Sequence, residues 1–65
     1  MRVWSILNNY QIGSYAHTVL QDRIVKEERT DSHHTKVWWD VEDNGEYRLL
    51  VRALGGFESR VHKED

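Results

Sequence analysis

Four histidines, four serines and a surplus of carboxylates are the groups in this chain that could do chemistry. His33 and His34 are adjacent, so in a strand they point to opposite faces. No pair among His17, His33, His34 and His62 has the i, i+4 or Cys/His spacing of a zinc site. Asp31 and His33 could share a face, but two ligands without a third do not define a metal centre, and the chain has no Cys to complete one. The histidines therefore read as solvated loop residues. Ser5, Ser14, Ser32 and Ser59 lie in no Gly-x-Ser-x-Gly elbow and beside no base with an orienting partner. Gly55-Gly56 follow a strand pattern with no helix behind them, which is not a phosphate loop. The sequence thus predicts a non-catalytic protein with no metal and no cofactor.

The remaining chemistry is recognition. Trp38, with Lys36, Asp40, Arg48, Leu50, Arg52 and Leu54, forms the candidate partner-binding set, because Trp and Arg are the residue types enriched at binding hot spots. What gathers these residues is a predicted β-hairpin over residues 35–54, TKVWWDVEDNGEYRLLVRAL. Asn44-Gly45 between two runs rich in Val, Trp, Tyr and Leu is a strong hairpin signal. A two-residue loop would set Val41 against Arg48 and mix charge into either face. A three-residue loop, Asp43-Asn44-Gly45 with Gly45 at positive φ as a G1 bulge, sets Val41 against Tyr47, Trp39 against Leu49 and Val37 against Val51. One face is then wholly apolar, and the burial pattern selects that register. Trp38 falls opposite Leu50 and Asp40 opposite Arg48 on the outer face, beside Lys36, Arg52 and Leu54.

Around the hairpin, Val3, Ile6, Leu7 and Tyr10 recur at helical spacing and predict a short N-terminal helix lying on the sheet. A third strand is expected at residues 23–30, antiparallel to residues 36–41 through the polar turn 31–34, with Lys26, Glu27, Glu28 and Arg29 charging an edge. The predicted fold is α+β, a short N-terminal helix packed on a three-stranded antiparallel β-meander whose central strand is residues 36–41. The alternative is β-α-β-β, with a strand near residues 2–7 and a helix over 14–28. Residues 1–56 form one small domain in this reading, and residues 57–65 a charged, frayed C-terminal tail to be tacked back by Phe57 and Val61.

With 65 residues the chain is one domain at most and buries only about 60% of its unfolded surface, so its core is thin. Three Trp, three Tyr and one Phe supply aromatic packing, and a homodimer would supply more. Nine basic and eleven acidic residues leave a net charge of −2, no footprint for duplex DNA and no polybasic membrane signal. Neither a signal-peptide h-region nor a run of about 20 apolar residues is present, so a cytoplasmic protein without membrane contact is expected. Short, Cys-free and aromatic-rich, the chain resembles in type the small accessory proteins of phages and mobile elements, many of which inhibit another macromolecule by binding it. The expected function is protein binding through the outer hairpin face, with self-association as a further possibility. The alternative is single-stranded nucleic-acid binding, with a base stacked on Trp38 and phosphates on Lys36, Arg48 and Arg52.

Overall fold

The structure is a computed structural model that describes residues 1–42, 44–56 and 58–64. It is α+β, as expected, but it begins with a strand and its sheet has four strands. The order along the chain is β1 (Arg2–Asn8), α1 (Asn9–Ile12), α2 (Tyr15–Val19), β2 (Ile24–Arg29), β3 (His34–Asp40), α3 (Gly45–Ala53) and β4 (His62–Lys63), with single 3₁₀ turns at Gln21–Arg23 and Glu58–Arg60. The sheet order is β2-β3-β1-β4, every neighbour antiparallel. Two βαβ units are thereby interleaved, each with a strand of the other inserted between its own two, in the split β-α-β-β-α-β arrangement.

The first strand replaces the expected N-terminal helix and matches the strand near residues 2–7 of the alternative, whose helix over 14–28 shrinks to α2, with residues 24–29 in β2. Val3, Ser5 and Leu7 are buried while Arg2, Ile6 and Asn8 are exposed and Trp4 half-buried, a period of two. Tyr10, the last residue of the supposed helical stripe, is 93% exposed. Ser5 obscures the alternation because it places a hydroxyl in the buried row. The helical reading survives only for α1, one turn long. Asn8 caps it, accepting from Gln11 N at 2.8 Å while its own amide donates to Gln11 Oε1 at 3.2 Å.

Residues 24–29 and 34–40 pair antiparallel as expected, Glu28 opposite Lys36 and Arg29 opposite Thr35, and β3 is an interior strand. Their turn is held by Asp31, whose Oδ1 accepts from the His33 and His34 amides at 2.7 and 2.8 Å.

The expected hairpin 35–54 does not form: its second arm is helix α3, and the partner of β3 is β1. Val3 stands opposite Trp39 and Ser5 opposite Val37, the places assigned to Leu49 and Val51. Buried Leu50 and Leu54 with half-buried Tyr47 recur at i, i+3, i+7, a helical stripe, and Glu, Leu, Arg and Ala favour the helix. The positive φ falls on Asn44, at 71°, and Gly45 is the first helical residue. Asp43 of the expected loop lies outside the described residues.

The tail expected to fray is also drawn in. His62 and Lys63 pair with Trp4 and Val3, the Glu64 amide donates to Arg2 O at 3.0 Å, and Val61 is buried. Phe57 lies outside the described residues. The helices cover one face of the sheet. Val3, Leu7, Val37, Trp39 and Val41 meet Ala16, Leu20, Leu50, Leu54 and Val61 there, and Trp39 is fully buried.

Candidate functional site

Among the described residues no helix lies over the other face of the sheet. Arg2, Trp4 and Ile6 alternate with the buried row of β1, and Lys36 and Trp38 alternate with that of β3, so all five stand on this open side. The register sets Trp4 directly opposite Trp38 on the two interior strands, with Lys26 of β2 beyond Trp38 and His62 of β4 beyond Trp4. A row of side chains thus crosses the whole sheet, with its two tryptophans in the middle.

Packing within the row is dense. The indole centroids of Trp4 and Trp38 are 6.1 Å apart and tilted by 47°, within the range of favourable aromatic pairs. His62 stacks on Trp4 at 4.2 Å with 19° between the planes. Lys36 Nζ lies 4.2 Å from the centroid of Trp4 and 4.8 Å from that of Trp38, and the Arg2 guanidinium lies 4.7 Å from Trp38. The charged ends of Arg2 and Lys36 thus lie over the indole rings as cation–π contacts. Ile6, 41% exposed and opposite Lys36, extends the apolar surface along β1.

Carboxylates border this centre and answer its cations. Lys26 Nζ is 2.6 Å from Glu28 Oε1, and its hydrogen bond and charge hold the Glu28 carboxyl below the usual carboxylate range, with Lys36 adding to the effect. Arg2 reaches Glu64 at 3.7 Å, and Asp40 lies 3.6 Å from the N-terminal ammonium. The face is aromatic at its centre and carries both signs of charge around it.

The fold divides the residues singled out from the sequence. Lys36 and Trp38 sit at the centre of the open face, and Asp40, opposite Arg2, sits at its end. Leu50 and Leu54 belong to the hydrophobic core on the other side, at 0% and 5% exposure, and offer no contact to a partner. Arg48 and Arg52 are exposed on α3, away from Trp38, so neither the Asp40–Arg48 nor the Trp38–Leu50 pair forms. Trp4, Arg2, Lys26 and His62 are the members that sequence reasoning missed. For Arg2 and Trp4 the signal was the alternation Arg2-Trp4-Ile6, which the alternative strand near residues 2–7 would have made legible; Lys26 and His62 join them only through the pairing of β2 and β4.

Among the described residues no three His, Asp or Glu side chains converge on a point where a metal could sit, and no helix is long and apolar enough to cross a membrane. No family model matches the chain, and no curated protein or solved structure matches it either.

Proposed function

We propose that the protein is a non-catalytic binding module that docks another protein on the open face of its sheet, with Trp4 and Trp38 as the centre of the contact. The observation that carries the reading is the pairing of these two tryptophans on the interior strands of a sheet face that no helix among the described residues covers. Aromatic anchors inside a polar rim are the anatomy of protein interfaces. The partner surface is defined by the same chemistry, an apolar patch bordered by both signs of charge, since Lys26 and Arg2 already have carboxylates beside them. A polyanion gains least from cations so compensated.

One arrangement favours single-stranded nucleic acid as the second reading. The paired aromatics with Arg2 and Lys36 over them would serve as a stacking platform if His62 swung off Trp4 to admit a base. Three phosphate contacts, to Arg2, Lys26 and Lys36, would give a log-log salt slope near −2, from about −0.7 per contact. A protein interface centred on the tryptophans would be far less sensitive to salt.

Affinity capture with the wild-type chain and with Trp4→Ala, Trp38→Ala and Tyr15→Ala tests the proposal. Tyr15 is exposed and lies on α2, away from the open face. A protein retained by the wild type and by Tyr15→Ala, and lost by both tryptophan variants while their circular dichroism stays native, is the expected result. For the purified pair the loss should reach about 2 kcal/mol, roughly 30-fold in Kd. Equal retention by all four chains would remove the open face from consideration.

A further inference from the structure

A cleft of about 570 Å³ opens on the helix side of the molecule, between α3 and β4. We propose that it binds a small organic oxyanion, a phosphate or carboxylate head on an apolar body. Its size is that of a small-molecule site. Arg48 and Arg52 are one helical turn apart and line the same wall, so their guanidinium groups serve one ligand.

The charge accounting points to an anion. Arg2, Arg23 and Lys26 each lie against a carboxylate, of Glu64, Glu46 and Glu28. Arg48 and Arg52 are in no ion pair among the described residues, are exposed and line the cleft. Lys63 adds a third cation from β4, its Nζ 5.1 Å from the Tyr47 ring centroid. Glu58 is the one carboxylate among the described lining residues, and it faces the Tyr47 hydroxyl, whose pKa burial and Glu58 together raise. Among the described lining residues, three cationic side chains stand against one engaged carboxylate, and the Met1 ammonium is already paired with Asp40, a positive balance on a chain whose net charge is −2. Guanidinium forks match the planar, two-oxygen geometry of carboxylate and phosphate. Half-buried Val51 and Tyr47 supply an apolar wall, which a bare inorganic ion would leave unused.

The test is a titration of the full chain, observed by amide chemical shifts, with phenyl phosphate, phenylacetate, inorganic phosphate and benzyl alcohol. Phenyl phosphate or phenylacetate should produce saturable shifts at Tyr47, Arg48, Val51, Arg52 and Lys63 and leave Trp4 and Trp38 unmoved. The double variant Arg48→Gln/Arg52→Gln should remain folded, since both side chains are exposed, and should lose about tenfold or more in affinity. Absence of saturable shifts with either oxyanion at millimolar concentration overturns the proposal, as does undiminished binding by the double variant. Benzyl alcohol binding as tightly as the oxyanions would refute the charged head, and inorganic phosphate binding as tightly would refute the apolar body.

Discussion

The carboxylate of Asp31, although exposed, organises the turn between β2 and β3. The His33 amide, then the His34 side chain and amide, donate to it and bring its pKa down to about 2 from 3.8. A folded-state pKa below the unfolded one means a contribution to stability that is complete above about pH 4 and lost as pH falls through about 2. Asp31→Ala should therefore lower the urea midpoint at pH 7, and the gap from wild type should narrow as pH falls across that window. Glu28, also held low, titrates in both proteins, so the difference isolates Asp31. A gap that stays constant from pH 7 to pH 2 would deny the carboxylate this role. The turn before α3 makes a second prediction. Asn44 carries φ 71° and Gly45 begins the helix, with nothing within 4 Å of where a Cβ would stand. Gly45→Ala should then stabilise the protein, by up to about 1 kcal/mol, and Asn44→Gly should be tolerated. Had Gly45 closed a hairpin at positive φ, the same alanine would destabilise, so the sign of the change in thermal midpoint decides.

At the scale of elements, the sequence was informative where local chemistry settled the matter. Charged residues 26–29, the turn around Asp31 and the strand holding Trp39 could each be read without knowing the rest of the chain. Helix α3 could not, because Tyr47, Leu49 and Val51 satisfy a period of two while Tyr47, Leu50 and Leu54 satisfy 3.6, and Asn44-Gly45 weighted the choice towards a hairpin. Which stripe is buried depends on β1, and Ser5 in its inward row left a strand near residues 2–7 as the alternative reading only. Strand β4 is too short and too polar to announce itself, since it is made by pairing with Arg2–Trp4 rather than by its own propensity. Its attachment has a measurable consequence. Val61 is 6% exposed, so Val61→Ala removes two buried methyl groups and should cost about 2 kcal/mol. In a frayed tail the substitution would be neutral, which urea unfolding would detect.

For the whole molecule, the decisive fact is that one thin sheet has two unlike faces. Trp39 belongs to the covered face and Trp38 to the open one, so adjacent indoles have opposite duties. Trp39→Ala should cost about 3–5 kcal/mol and unfold so small a domain, whereas Trp38→Ala should leave its far-UV circular dichroism native. The sequence conveyed that division for Trp38 and Trp39, because period two within one strand is local. It did not convey the partnership of Trp38 with Trp4, which needs residues 2–8 to lie beside residues 34–40, or the removal of Arg48 and Arg52 to the opposite side. Everything claimed for the open face rests on the β1–β3 pairing. Nuclear Overhauser contacts in the free protein test it most directly. The account predicts contacts between the Trp4 and Trp38 indoles and between Trp4 and His62, with antiparallel Hα pairs joining residues 2–8 to residues 34–40. Hα pairs joining residues 37–41 to residues 47–51, with no contact between Trp4 and Trp38, would contradict it.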